Sequence, residues 1–210
     1  MSDLKKLHDA LLAGDAKTVV AVTKEALEGG IAPGDLVYKH MVPALGEAGA
    51  KFEANELFVP ELLLIARAMK NAMEIIRPLL AKSGAKPVGR VAIGTVKGDL
   101  HDIGKNLVAS MLEGGGFEVV DLGVDVGAEK FIAAVKEKSV NVIALSALLT
   151  TTMPFIKTVI EALKSSGLRD KVKVIVGGAP VTQDYANEVG ADGYSDNANG
   201  AVNIARKLVA

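Results

Sequence analysis

The hydrophobic period of this chain changes once, near residue 85, and that change limits the possible folds more than any other feature. Before it, apolar residues recur at three- and four-residue spacing, the helical period. "SDLKKLHDALLAG" places Leu4, Leu7, Leu11 and Leu12 on one helical face, with Ser2 positioned to cap and Gly14 to stop. "DAKTVVAVTKEALEGG" repeats the pattern and ends on Gly29 and Gly30. "APGDLVYKHMVPALGEAGAKF" begins a third helix that Pro43 is placed to kink. "VPELLLIARAMKNAMEIIRPLL" is the longest apolar run, with Pro60 in its first turn. Four helices over residues 1–82 joined by short loops predict a small bundle.

Gly, Pro and Lys then cluster in "AKSGAKPVGR", which reads as a linker and, around Ser83–Pro87, as a hinge. Beyond it come short β-branched runs, "RVAIGTV", "FEVVDLG", "NVIALS", "KVKVIVGG" and "ADGYS". Helical patterns alternate with them near 103–114, 128–138, 153–166, 181–189 and 197–209. Such alternation builds a parallel sheet with helices on both faces. Five units predict the flavodoxin-like (Rossmann-type) strand order 2-1-3-4-5. The expected organisation is a helical cap domain over 1–85 and an α/β domain over 88–210.

In this topology ligands bind beyond the carboxyl ends of the strands, where the strand order reverses between strands 1 and 3. "KGDLHDIG" follows strand 1, "SALLTTTMP" strand 3, "GGAP" strand 4 and "YSDNANG" strand 5, so four polar or glycine-rich segments converge on one edge. "GVDVGAEK", after strand 2, is less distinctive. No dinucleotide or P-loop glycine motif occurs, although flavin stays physically open. His101 suits a metal, yet no second His, Cys or carboxylate stands at a recognised zinc spacing. A lone protein ligand points to a metal carried by an organic macrocycle. Asp99 is placed to accept the other ring N–H and so fix the tautomer. Gly98 and Gly104 allow close backbone approach to a bulky ligand, and Gly177–Gly178 would open a slot for its tail.

Composition removes several function classes. There are no cysteines, which excludes thiolate zinc and iron–sulfur ligation and fits a cytoplasmic protein. Net charge is -1 and aromatics are 4%, so neither a basic patch nor a stacking surface suggests nucleic acid. The charged start "MSDLKKLHDALLAGDA" is no signal peptide, and no apolar run reaches membrane-spanning length.

"DLHDIG" matches the cobalamin-binding signature D-x-H-x-x-G, joined by Ser146-Ala147-Leu148 (S-x-L) and Gly177-Gly178. "LGEAGAKFEANELFVPELLLIARAMKNAM" looks like the helical cap that precedes the cobalamin domain of methionine synthase. Over nearly its whole length the chain resembles the small corrinoid proteins of anaerobic methyltransferase systems, of the methanol, methylamine and methoxy-aromatic type. The resemblance implies base-off, His-on binding of cobalamin or a related corrinoid, with His101 as lower axial ligand to cobalt and Asp99 hydrogen-bonded to it. Thr152 takes the place of the family's relay serine, a departure that keeps the hydroxyl. Gly98, Asp102, Ile103, Gly104, Leu148 and Ala179 come in as cofactor neighbours within the matched segments. Ser146 and Thr150 would bond the buried nucleotide tail, and Tyr194 and Ser195 line its slot. Phe58, Ile65 and Met69 would cover the upper face.

The same resemblance implies a Co(I)/methyl-Co(III) cycle in one-carbon metabolism. The partners it implies are a substrate-specific methyltransferase, an acceptor methyltransferase of the tetrahydrofolate or thiol type, and a reductive activase. Four alternatives remain at the level of sequence. Ser146 and Thr150–Thr152 could simply cap the next helix. Phe58, Ile65 and Met69 could be bundle core. An adenosylcobalamin mutase subunit would share D-x-H-x-x-G but not the four-helix cap, and a cobalamin-dependent sensor would need a DNA-binding module that residues 1–82 do not show.

Overall fold

A computed structural model of the chain describes residues 3–83 and 87–210. The expected hinge lies mostly outside the described residues, as does Ser2. The first cap is instead Asp3, whose carboxylate accepts the Lys6 N–H at 3.0 Å. The chain divides into two compact units: Met1–Pro87 with Glu113–Gly116, and Val88–Leu112 with Phe117–Ala210.

In the helical unit, α1 (Leu4–Leu12) and α2 (Ala16–Glu28) are each opened by an aspartate. Asp15 accepts both the Thr18 N–H and the Thr18 hydroxyl, so it serves one of the backbone donors that the first turn leaves unpaired and a side-chain donor besides. The third helical stretch runs through α3 (Pro33–Asp35), a π-helical turn (Leu36–Met41) and α4 (Val42–Glu53). Pro43 stands at the start of α4, directly after the widened turn. A proline ring collides with the carbonyl four residues back and cannot donate to it, and a turn with an extra residue accommodates both defects. The long α5 (Val59–Ser83) carries Pro60 in its first turn and runs on through Pro78. Leu7, Leu11, Val22, Met41, Met69 and Ile76 form part of the buried core.

Thr23 is fully buried in α2, and its hydroxyl finds no hydrogen-bond partner among the described residues. A buried unsatisfied hydroxyl costs about 1–3 kcal/mol, and an apolar group of the same shape removes that cost. Thr23→Val is therefore expected to stabilise the protein by about 1 kcal/mol. Urea unfolding checks this, and a lower midpoint in the variant would mean that the hydroxyl is satisfied after all.

The second unit is a five-stranded, all-parallel sheet of order β2-β1-β3-β4-β5, the order expected from the five repeating units. The strands are β1 (Arg90–Thr95), β2 (Glu118–Asp121), β3 (Val142–Ser146), β4 (Lys173–Gly177) and β5 (Gly193–Tyr194). Between and after them run α6 (Ile103–Gly114), α7 (Ala128–Lys138), α8 (Pro154–Ser165), α9 (Gln183–Val189) and α10 (Ala198–Val209). The inner strands β1, β3 and β4 are nearly all buried while β2 and β5 are not. Helices on both faces remove water from both sides of an inner strand, so it reads as an unbroken apolar run. Ile143, Leu145, Phe131, Ile156, Ile160 and Val176 lie in this core.

Strand register sets the functional edge. Thr95 pairs with Ser146, Ser146 with Gly177, and Val176 with Tyr194. The loops that leave these strands therefore start side by side. No helix among the described residues is long and apolar enough to cross a membrane.

Candidate functional site

The β1–α6 loop is tied down at almost every residue. The Val96 N–H donates to the Ser146 carbonyl at 3.0 Å, and the Asp99 N–H to the Val96 carbonyl at 3.1 Å. Gly98 turns the chain with φ +80°, a conformation that side-chain-bearing residues rarely adopt. Its N–H donates to Asp125 Oδ1 at 2.8 Å. The Asp125 N–H returns a bond to the Asp99 carbonyl at 3.0 Å. The Thr95 hydroxyl donates to the His101 carbonyl at 2.8 Å. His101 is thus carried on a frame built by the ends of β1, β2 and β3.

Asp99 is fully buried, and both carboxylate oxygens are occupied. Oδ1 accepts from His101 Nδ1 at 2.7 Å and from the His101 N–H at 3.1 Å. Oδ2 accepts from the Leu148 N–H at 2.8 Å and from the Thr152 hydroxyl at 2.7 Å. Burial works against the charged form. The Leu148 N–H, the His101 ring, the Thr152 hydroxyl and the His101 N–H together outweigh it and hold the carboxyl well below the usual carboxylate range. An ionised carboxylate can only accept, so Nδ1 must carry a proton, and in the neutral imidazole Nε2 then keeps its lone pair. That is the tautomer a metal ligand needs, and a carboxylate behind the ring strengthens the donor.

The Thr152 hydroxyl also lies 2.9 Å from the Leu149 carbonyl. It has one proton for two acceptors, and with Asp99 ionised the carboxylate takes it, because charge-assisted hydrogen bonds are the stronger ones.

The surroundings are open and greasy. The His101 side chain is 51% exposed. Leu100 and Ile103, on either side of it in sequence, are 72% and 73% exposed, and Leu148 and Leu149 are 41% exposed. Four large apolar side chains around one accessible imidazole leave a surface that a flat apolar ligand would cover. Gly104 adds to this reading, because a Cβ built there meets no atom within 4 Å. The protein itself has no steric need for glycine in that first helical turn, so the free space suits a ligand. Among the described residues no group of three or more His, Asp or Glu side chains could hold a metal ion. The donor set is one imidazole nitrogen, which fits a metal whose other ligands come with it.

The remaining expected site residues are placed as follows. Asp102 leads into α6, and its carbonyl and carboxylate accept the backbone and side-chain N–H groups of Asn106. Ser146 ends β3, and Thr150 is exposed in the loop that follows. Gly177 and Gly178 stand where backbones crowd: a Cβ on Gly178 would overlap the Ala147 carbonyl oxygen, and one on Gly177 would sit 2.8 Å from the Ser195 carbonyl oxygen. The protein's own chain thus already requires both glycines. Ala179 is exposed beside them. Tyr194 closes β5, and the Ser195 hydroxyl donates to the Asn197 carbonyl at 2.7 Å. In the helical unit Phe58 is 61% exposed and leads into α5, its N–H bonded to Glu61. Ile65 and Met69 are buried, at 1% and 0% exposure, with Met69 in the helical core.

Two B12 binding domain models match the chain, one over residues 89–203 and one over residues 3–77. The chain belongs to the B12-binding family. As a B12-binding chain it takes cobalamin or a related corrinoid as cofactor. It is 45% identical to trimethylamine corrinoid protein 1 of Methanosarcina acetivorans, over 98% of this chain and 96% of that one. It is 44% identical to the dimethylamine corrinoid protein of Methanosarcina barkeri, over 99% and 97%. Among solved structures it is similar to a cobalamin-binding protein from Desulfitobacterium hafniense, with TM-score 0.83, 33% identity and 100% of both chains covered. It is also similar to a chain of the methanol:cobalamin methyltransferase complex of Methanosarcina barkeri, with TM-score 0.84, 32% identity, and 98% and 79% covered.

Sequence reasoning about this B12-binding chain missed Asp125, Leu100, Leu149 and the Leu148 N–H. Asp125 sits in "GVDVGAEK", the segment after β2, and only its φ of +52° and two loop-to-loop bonds reveal its part. The one available signal was an aspartate among small residues at the carboxyl end of a strand.

Proposed function

We propose that this chain is a methyl-carrying corrinoid protein that binds its cofactor base-off and His-on, with a helical cap domain over about residues 1–85 and a corrinoid-binding domain over about 88–210. One observation carries the reading: the fully buried Asp99 accepts from His101 Nδ1, which leaves Nε2 of a half-exposed ring uncommitted, with Leu100, Ile103, Leu148 and Leu149 exposed on the loops around it. The corrinoid supplies the reactive centre, a cobalt that accepts a methyl group and hands it on. The chain's own residues do the rest. His101 Nε2 would hold the metal. Asp99 orients the ring and, as a carboxylate against Nδ1, would stabilise positive charge on the imidazole. Thr152 donates to Asp99 and keeps it ionised. Leu100, Ile103, Leu148 and Leu149 would exclude water from the bound ligand, and the exposed Phe58 would be a further apolar neighbour of it.

This chain needs no substrate pocket of its own, since a methyltransferase partner holds the methyl donor. The similarity to the methylamine corrinoid proteins supports a methylamine methyltransferase as donor-side partner. A second methyltransferase of thiol or folate type and a reductive activase complete the cycle. The test loads the purified chain with cobalamin, reduces it and mixes it with trimethylamine- or dimethylamine-specific methyltransferase and the amine. A photolabile methylated visible spectrum is expected. Failure to methylate with any methylamine or methanol methyltransferase, coupled with tight binding of adenosylcobalamin alone, would place the chain with the mutases instead.

Gly104→Ala should separate stability from binding. Alanine in a helical turn is favoured over glycine by about 0.5–1 kcal/mol, and nothing in the protein obstructs its methyl group. The cofactor-free variant should therefore unfold no earlier than the parent, while its corrinoid affinity falls. Equal affinity in a cobalamin titration would show that the space over Gly104 is not ligand space.

A further inference from the structure

We propose that Lys105 is a positioning residue for the axial ligand, acting on His101 through two hydrogen-bonded arms. This rests on the reading of His101 as the ligand. The Lys105 side chain is 2% exposed. Its ammonium has three protons and finds three acceptors: Asp121 Oδ1 at 2.7 Å, Asp121 Oδ2 at 2.6 Å and Asn106 Oδ1 at 2.6 Å. Buried lysines are rare, and pairing a buried ammonium with the half-exposed Asp121 is a weak source of stability compared with apolar packing. What such a pair supplies is a single permitted arrangement of its neighbours, and here the neighbours are the supports of His101.

The first arm runs through Asn106. An ammonium can only donate, so the Asn106 amide must turn its oxygen to Lys105 and its NH2 group away. That NH2 group donates to Asp102 Oδ2 at 3.0 Å, and Asp102 directly follows His101. The second arm runs through Asp121. Its Oδ1 also accepts the Gly123 N–H at 2.9 Å. The Gly123 carbonyl accepts the Thr95 N–H at 3.0 Å, and the Thr95 hydroxyl holds the His101 carbonyl at 2.8 Å. Both arms begin at one buried cation; one ends on the carboxylate of Asp102, the residue after His101, and the other on the His101 carbonyl. Asp99 sets the ring's tautomer and rotation. Lys105 sets where the backbone that carries the ring stands, and hence how far Nε2 reaches.

Lys105→Met keeps the length of the side chain and removes its three donors. Asp121, 46% exposed at its side chain, can turn to water, and the Asn106 amide is then free to flip. In the cofactor-free protein, amide hydrogen exchange should speed up over residues 99–104. In the cobalamin-loaded full chain, paramagnetic resonance of the cobalt(II) state should show a weakened axial-nitrogen splitting or a larger base-off fraction. Corrinoid affinity should fall about tenfold, the lower end of what outer-shell partners of metal ligands contribute. The decisive comparison is made in a His101→Ala background. With no imidazole to position, Lys105→Met should there leave the spectrum and the cobalt(II)/cobalt(I) potential unchanged. A shift of equal size in that background would mean that Lys105 acts on the metal through its field, and would overturn the proposal.

An unchanged nitrogen splitting in folded Lys105→Met overturns it as well. If that variant does not fold, Asp121→Asn is read in the same way, with a smaller shift in the same direction expected and no shift counting against the role of Lys105. A parent protein without any axial nitrogen splitting would instead overturn the ligand assignment itself.

Discussion

In His101→Ala the cobalt(II) form of the loaded protein should lose its axial nitrogen superhyperfine splitting. The side chain is the one imidazole placed in the crivice-forming loop after β1, and its Nε2 lone pair is uncommitted because Asp99 claims Nδ1–H. The fold should survive. Asp99 keeps the Leu148 N–H, the Thr152 hydroxyl and the N–H of residue 101, so its charge stays solvated by protein. Only one hydrogen bond of a half-exposed ring is lost, a cost of about 1 kcal/mol. The effect on the metal should be far larger. Losing an outer-shell partner costs about 10–100-fold in metal affinity or activity, and losing the ligand itself should exceed that in the rate of methyl uptake. Without axial donation the most reduced, ligand-free state of cobalt is favoured, so reduction becomes easier as methylation becomes less favourable. A nitrogen splitting that persists in the variant, with the cofactor's own lower base excluded by isotope labelling, would remove His101 from the mechanism.

Asp99→Asn is expected to damage both stability and ligation, for a reason visible in the pairing of its two oxygens. An amide has one acceptor where the carboxylate has two. With its oxygen toward Leu148 and Thr152, its NH2 group confronts the His101 N–H and forces Nδ1 to accept; the ring proton then moves to Nε2 and ligation is blocked. With its oxygen toward His101, the Leu148 N–H is left without an acceptor in a buried site. Either way a buried donor is orphaned, at about 1–3 kcal/mol.

The pH dependence has a definite sign. The native carboxyl titrates below its ordinary value of 3.8, so on acidification the unfolded chain binds the proton first. The stabilisation Asp99 supplies is complete well above that value and is lost as the pH falls through it towards the lowered native value. The stability gap between parent and variant in urea unfolding should therefore narrow from about pH 5 down to about pH 3. A gap that stays constant over that range would mean that the Asp99 carboxyl is not held ionised by these bonds.

The architecture of the α/β unit was legible in the sequence because its determinants are local. β-branched runs such as "NVIALS" alternate with amphipathic helical runs, and right-handed βαβ connection leaves few ways to order five such units. The same logic placed His101 beyond the carboxyl end of β1 and put Asp99 within reach of it, two residues away. The helical half was legible for the same reason, including Pro60 in the first turn of α5, although the π-helical turn ahead of Pro43 was not.

What only the tertiary structure decided are the contacts that join distant loops. Asp99 meets the Leu148 N–H and the Thr152 hydroxyl across 49 and 53 residues of chain. No spacing rule specifies that the carboxylate is ionised or that His101 keeps Nε2 free. Asp125 and Lys105 are ordinary charged residues by composition, and their parts appear once β1 and β2 lie in register and bring the two loops together. Met69 and Phe58 share one apolar pattern in sequence, yet one is buried among helices and the other faces solvent. Periodicity records which face of an element is apolar; what that face meets depends on elements folded against it from elsewhere in the chain.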